Sequence, residues 1–162
     1  MLSISGLGCF ARLRVAGDFA KHRQSLATGG CLVRTQPLIA VTNVEASSRW
    51  YERLLGCKGD HGGNEYERLK VGGNLILQLH RFDVDHHHGP VGDQNDKPYS
   101  NGVLLWFEVD DFEAAMRRID QLKPDIVMPR HRNPNPNHWE IWVRDPDGYV
   151  VVIANPDGSA GP

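Results

Sequence analysis

The sequence predicts an α+β fold built from two paired βαβββ modules that together form a concave cleft. The order of a strand, a helix and further strands occurs twice along the chain, and the two opening strands end at matching valines, Val44 and Val109. A half-sheet of this kind leaves one face uncovered. Pairing two half-sheets therefore creates a cleft, which is the place where small ligands bind.

The first module, about residues 37–82, is predicted to contain a strand, a helix and a hairpin. Apolar residues recur at helical spacing in the second of these segments and stop at Gly56, a common helix end. The pair Gly72–Gly73 separates two β-rich stretches, as in a hairpin turn. The predicted segments are 37–44 for the strand, 46–56 for the helix and 66–81 for the hairpin.

The second module, about residues 101–157, repeats this order. Asp110 or Asp111 precedes an amphipathic segment as a helix cap, and Pro124 follows its end. A DPDG turn at 145–148 joins two β-rich stretches. The predicted segments are 102–109 (strand), 112–122 (helix), 125–130 (strand), and 138–144 with 149–155 (hairpin).

Three segments lie outside the modules. Residues 83–100 form a polar connector that is longer than an ordinary loop. Residues 1–36 are rich in arginine and poor in acid, which is typical of a mitochondrial presequence and equally of a leader translated from a start codon placed too early. Such an extension could be disordered, with a structured first element as the remaining option. Residues 158–162 are a short tail.

Composition excludes several classes of protein. The chain has 162 residues, enough for one domain with a core, and a formal net charge of −2. Acidic residues outnumber basic ones after residue 36, so nucleic acid is not an expected partner. Apolar runs fall short of a membrane span, and the three cysteines have no close spacing. We expect a cytoplasmic protein, or a mitochondrial one if residues 1–36 are a transit peptide.

Motifs in both modules resemble those of the vicinal-oxygen-chelate superfamily, which includes glyoxalase I, extradiol dioxygenases, fosfomycin-resistance enzymes and bleomycin-resistance proteins. The residues that carry this resemblance are 41–56, 105–119 and 142–156, the last containing RDPDGY. The resemblance covers about 37–157 and is closest to the bleomycin-resistance-like branch. It implies the glyoxalase/bleomycin-resistance-like fold and a homodimer.

The resemblance also implies one divalent metal ion, held by His, Glu or Gln side chains from two strands of each module. By the register of the matched motifs, those places are Ile39, Gln78, Leu104 and Val152. Three of the four are hydrocarbons, and their sequence neighbours are equally inert. We therefore expect no metal cofactor, while a single divalent metal at a relocated site is the alternative. Whether the protein is an enzyme stays open.

A candidate ligand-binding set follows from strand alternation. Glu140 and Trp142 share one face of their strand, and Gln78 and His80 share one face of theirs. The expected lining of the cleft is Gln78, His80, Trp106, His138, Glu140 and Trp142. Such a mixed surface suits an aromatic or cationic small molecule. The alternative is that the tryptophans are plain core and Glu140 is solvated.

Three functions remain in view. The first is metal-independent binding of a small molecule, with no catalytic residue assigned. The second is a diverged metal-dependent lyase, dioxygenase or isomerase whose relocated site would use His80, Glu140, His86 and His88. The third is an accessory or scaffold subunit that contacts its partners through Trp139 and the loop that contains His86–His88. Residues 131–139 carry prolines and asparagines, and are either a flap over the cleft presenting His131 or His138, or an ordinary surface connection.

Overall fold

The computed structural model describes residues 34–84 and 92–160. The predictions for most of the leader and for His86 and His88 lie outside these ranges. Within them, the elements of module one are β1 (Leu38–Val41), α1 (Val44–Leu55), β2 (Lys58–Gly59), β3 (Tyr66–Val71) and β4 (Asn74–Arg81). Those of module two are β5 (Leu104–Glu108), α2 (Phe112–Leu122), β6 (Asp125–Asn133), β7 (His138–Arg144) and β8 (Val150–Ala154).

Each module forms a four-stranded mixed sheet with one helix. The strand orders are β1-β4-β3-β2 and β5-β8-β7-β6, so the two modules have the same topology. In both sheets the opening strand pairs in parallel with a later strand, and the remaining pairs are antiparallel. The predicted α+β fold with a duplicated βαβββ unit is confirmed. β1 and β5 are outermost strands of their sheets.

Each helix has a side-chain cap at its start and is followed by a residue in the left-handed conformation. Asn43 and Asp111 precede α1 and α2, and their side chains accept hydrogen bonds from Ala46 N (2.9 Å) and Ala114 N (2.8 Å). The residue after α1 is Gly56 at φ 70°, a left-handed conformation that glycine adopts without strain. The equivalent residue after α2 is Lys123 at φ 51°.

A continuous apolar core includes residues from both modules. Tyr51 of α1 and Leu79 of β4 belong to it together with Phe112 of α2 and Ile153 of β8. The sheet side that packs into this core is called here the core face, and the opposite side the open face. None of the described helices has the length and apolar character needed to cross a membrane.

The DPDG turn of module two also binds module one. The Tyr51 hydroxyl donates to the Asp145 carboxylate at 2.8 Å, and the Thr42 amide and hydroxyl donate to Asp147. The Tyr149 hydroxyl donates to the carbonyl oxygen of Ala40 at 3.0 Å. The turn thus stabilises the contact between the modules in addition to reversing the chain.

The sequence interpretation of residues 131–139 was partly wrong. β6 extends to Asn133, so His131, Arg132 and Asn133 lie in a strand and in neither a flap nor a surface connection. Prolines block ladder pairing only where an amide is needed, and Pro134 and Pro136 fall in the turn that follows. Pro129 lies where the β6–β7 register shifts between Met128 and His131. The two-residue strand β2 was not predicted.

Candidate functional site

The open face of module two contains a buried carboxylate that contacts four other side chains. Glu140 lies in β7 with 1% of its surface exposed. Its Oε1 lies 2.9 Å from His131 Nε2 and accepts a 2.9 Å hydrogen bond from Trp142 Nε1. Its Oε2 lies 2.7 Å from His138 Nε2 and accepts a 3.2 Å hydrogen bond from Asn133 Nδ2. These five residues are the Glu140 cluster.

Strand pairing assembles this cluster. The β6–β7 register sets His131 opposite Glu140 and Asn133 opposite His138. Alternation along β7 then brings His138, Glu140 and Trp142 to one face. The cluster therefore depends on a hairpin whose turn, residues 134–137, includes Asn137 at φ 53°.

The environment of Glu140 keeps it ionised. Burial raises the pKa of a carboxyl group, but hydrogen bonds from His138, Asn133 and Trp142, with the charge on His131, outweigh burial and lower the pKa of Glu140. Both carboxylate oxygens are engaged within the cluster. Glu140 can therefore orient its neighbours and supply negative charge, without reaching a ligand directly.

His138 connects the Glu140 cluster to Asp157 at the end of module two. Its Nδ1 lies 3.2 Å from Asp157 Oδ1, while its Nε2 faces Glu140. A neutral imidazole can donate to only one of these carboxylates, whereas an imidazolium can donate to both. The ring is thus held between two acids on an otherwise aromatic surface.

Two tryptophans form the exposed part of this face. Trp106 of β5 and Trp142 of β7 both lie opposite Val152 of the intervening strand β8, so their side chains share one row. Their ring centroids are 6.5 Å apart with planes at 75°, and the Trp106 centroid is 5.8 Å from that of His138. Trp106 is 45% exposed. Trp106 is therefore accessible to solvent beside two other aromatic rings.

Trp139 lies on the opposite side of β7. It packs partly buried against the core, with the Arg130 guanidinium 5.0 Å from its ring centroid. This position follows from the alternation of side chains along β7 and places Trp139 apart from the aromatic row of Trp106 and Trp142.

Gln78 and His80 lie on the open face of module one. The Tyr66 hydroxyl donates to Gln78 Oε1, and Gln78 Nε2 donates to the carbonyl oxygen of Gln36 at 3.0 Å. His80 Nδ1 lies 2.8 Å from the Arg81 carbonyl oxygen, and its ring packs at 6.4 Å from that of Tyr66. These contacts are with residues of module one and with Gln36, which directly precedes it. The six predicted ligand-binding residues thus form two groups, one on each sheet.

The positions at which the resemblance places metal ligands do not fit a divalent ion. Ile39 was the wrong residue of β1, because it lies opposite Leu79 and packs into the core, whereas Leu38 lies opposite Gln78 on the open face. Leu38, Leu104 and Val152 carry no donor atom. In residues 34–84 and 92–160, no group of three His, Cys, Asp or Glu side chains could hold a metal ion. His86 and His88, of the predicted relocated site, lie outside these ranges.

Sequence reasoning missed Asn133 and Tyr66. Asn133 was assigned to a loop, although the β7 segment at 138–144 could have revealed its partner strand by counting back across a four-residue turn. Tyr66 begins β3 opposite His80. Its alternation with Arg68 along the strand was the available signal.

A family model for the Glyoxalase/Bleomycin resistance protein/Dioxygenase superfamily matches residues 32–153. The match covers both modules with the order of elements described above. The chain belongs to this superfamily, as the motifs at 41–56, 105–119 and 142–156 indicated. No curated protein matches the sequence significantly.

Several solved structures share the fold at low sequence identity. Lactoylglutathione lyase from Agrobacterium tumefaciens is 18% identical, with a TM-score of 0.55, over 75% of this chain and 92% of that one. TioX from Micromonospora sp. ML1 is also 18% identical, with a TM-score of 0.57 over 76% and 99%. The fosfomycin resistance protein FosX from Mesorhizobium loti is 14% identical, with a TM-score of 0.57 over 80% and 97%. These likenesses concern the fold alone.

Proposed function

We propose that this protein binds a small aromatic or cationic molecule on the open face of module two without a metal ion. The observation that carries the proposal is the exposed Trp106 beside Trp142 and the buried, ionised Glu140. Aromatic faces attract planar rings and cations. Hydrocarbon side chains at the superfamily's metal positions support a binding role that does not depend on a metal.

The Glu140 cluster gives this surface its fixed shape. The hydrogen bond from Trp142 Nε1 to Glu140 holds the indole in one orientation, and His138 is held between Glu140 and Asp157. A surface that is ordered before the ligand arrives loses less entropy on binding. The charge of Glu140, placed beneath the aromatic row, favours a ligand that carries positive charge.

A homodimer would complete the cleft. β1 and β5 are outermost strands, and each exposes a large apolar side chain on its open face, Leu38 on β1 and Leu104 on β5. Unpaired edges with exposed apolar residues favour association. A second copy could set its own Gln78 and His80 opposite Trp106. Sedimentation equilibrium tests whether the protein dimerises. A chain that stays monomeric at all concentrations contradicts the proposed homodimer.

The binding proposal is tested by calorimetric titration of the protein, pretreated with a chelator, with proflavine as a planar aromatic cation. We expect one saturable site per chain. Trp106→Ala should weaken binding roughly tenfold, because a stacked aromatic contact is worth about 1–3 kcal/mol. The exposed position of Trp106 allows this substitution with little effect on folding.

Trp50→Phe is the matched control, because Trp50 lies on α1 and packs against the core. It should leave proflavine affinity unchanged. Equal weakening in both variants, or binding that appears only after metal is added, contradicts the proposal. A planar anion, anthraquinone-2-sulfonate, should bind more weakly than proflavine at this site.

A further inference from the structure

The open face of module one contains a cavity whose chemical character differs from that of the Glu140 cluster. It has a volume of about 460 Å³ and is lined by three cationic side chains, Arg34, Arg68 and Lys70, with Tyr66, Asn74 and Gln78 among the polar residues around them. None of the described residues that line it is acidic. The cavity is distinct from the Glu140 cluster, which lies on the other sheet.

Two of the cations are held in place by one carboxylate. Arg68 Nε lies 3.0 Å from Asp60 Oδ1, and Lys70 binds the other oxygen of Asp60. The hydrogen bond from Lys70 is the largest influence on Asp60 and, with Arg68, lowers the pKa of this carboxyl group. Asp60 does not line the cavity, and its one negative charge restrains two of the positive side chains that do.

Arg34 adds a third positive charge. Among residues 34–84 and 92–160, no ion pair or hydrogen bond of Arg34 is found. Gln78, in contrast, is already occupied, since it accepts from Tyr66 and donates to Gln36. The donors left for a ligand are therefore the Arg34 guanidinium, the N–H groups of Arg68 and Lys70 that do not bind Asp60, and the Asn74 side chain.

We propose that this cavity binds a small molecule through an anionic group, a phosphate or a carboxylate. Arginine presents paired N–H donors that match both groups, and lysine adds a point charge. Hydrogen bonds between charged groups are the strong ones in proteins. This site goes beyond the binding of an aromatic cation on module two, although Gln78 would bring the two surfaces into one cleft in the homodimer proposed above. Anion binding is tested independently of that proposal.

The test is calorimetric titration of the full chain with sodium pyrophosphate and, separately, with sodium citrate, in a phosphate-free buffer at low salt. We expect saturable binding of at least one of the two anions, at one site per chain, that weakens as sodium chloride is added. Binding of pyrophosphate alone identifies a phosphate site, and binding of citrate alone a carboxylate site. Saturable binding of neither anion overturns the proposal.

Substitutions locate the site. Arg68→Gln should weaken binding roughly tenfold, because it removes one charge-assisted contact. Arg144→Gln is the matched control, since Arg144 is a half-exposed β7 residue that also pairs with an aspartate, Asp125, at 3.5 Å. It should change affinity by less than about twofold. Equal losses in the two variants overturn the proposal, because they indicate a nonspecific charge effect.

Arg34→Gln tests the same site with a substitution that should not affect folding. Arg34 has no described partner, so its substitution leaves the contacts of β3 intact, and the thermal unfolding midpoint should not move. We expect weaker anion binding in Arg34→Gln even if Arg68→Gln proves unstable. Arg34→Gln retains Arg68 and Lys70. If it binds the anions with unchanged affinity, the assignment of this cavity to anion binding is overturned.

Discussion

Glu140 shows how a single residue organises the candidate site. A carboxylate with 1% exposure would be costly to bury alone, yet four side chains supply it with partners. The same four contacts fix the orientation of Trp142 and of both histidines. The negative charge of Glu140 therefore orients the aromatic surface, in addition to the attraction for cations that we propose.

Glu140→Gln should destabilise the protein by about 2–4 kcal/mol at pH 7, because an amide cannot accept all four contacts and leaves the buried donors unsatisfied. The lowered pKa of Glu140 means that its stabilisation is complete above its unfolded-state value and declines as the pH falls through the lower folded-state value. Urea unfolding of both proteins should thus show a difference that narrows in acid.

The exposed Glu45→Gln is the control for this measurement. Glu45 pairs with Arg49 on the surface of α1 at 3.9 Å, and such pairs contribute little. A loss of stability in Glu140→Gln no larger than that in Glu45→Gln would show that the cluster does not need the charge.

Among the elements, α2 could be predicted from the sequence, whereas β6 could not, and α1 begins at Val44, which was predicted to end the first strand. α2 has the predicted bounds because its cap, its apolar period and Pro124 are all local signals. The end of β6 depends on pairing with β7, which the prolines near His131 obscured. The Glu140 cluster could not be predicted as a whole, since His131 and Glu140 meet only through this cross-strand register.

The two helix ends make a paired prediction. Each helix is followed by one residue with a left-handed backbone conformation, which is Gly56 after α1 and Lys123 after α2. Lys123→Gly should stabilise the protein by roughly 0.5–1 kcal/mol, because glycine adopts a positive φ without a Cβ clash. Gly56→Ala should destabilise it by about 1 kcal/mol for the same reason.

Thermal unfolding of both variants checks this pair. The Cβ added at Gly56 would meet only the Arg118 side chain at ordinary contact distance, so the backbone conformation is the main cost. Opposite shifts of the unfolding midpoint are expected. A fall in both variants would show that the Lys123 side chain contributes more than its backbone conformation costs.

At the scale of the whole molecule, the modules are joined through the DPDG turn. Asp145 accepts hydrogen bonds from the Tyr51 hydroxyl at 2.8 Å and from the amides of Asp147 and Tyr149. Burial is the largest influence on this carboxyl group and raises its pKa to about 6. The motif that identified the superfamily in the sequence is thus also the connection between its two halves.

Asp145→Asn should change the pH dependence of stability. Because the folded-state pKa lies above the unfolded-state value of 3.8, ionisation opposes folding, and wild-type stability declines as the pH rises through about 6. The variant lacks this decline, so its stability relative to wild type should rise by up to about 3 kcal/mol between pH 4 and pH 7. Chemical unfolding at a series of pH values measures it.

An exposed aspartate provides the control. Asp120→Asn on α2 changes the net charge equally and should retain the pH profile of the wild type. Parallel wild-type and Asp145→Asn profiles between pH 4 and pH 7 would contradict a buried carboxyl group that titrates near 6.

We propose that the open face of module two binds its ligand without a metal ion. The most direct measurement is the metal content of tag-free protein purified without chelators, determined by elemental analysis beside Glu140→Gln and His80→Ala variants. We predict no stoichiometric metal in any of the three proteins. About one divalent ion per wild-type chain, lost in either variant, would contradict the claim and indicate a relocated metal site.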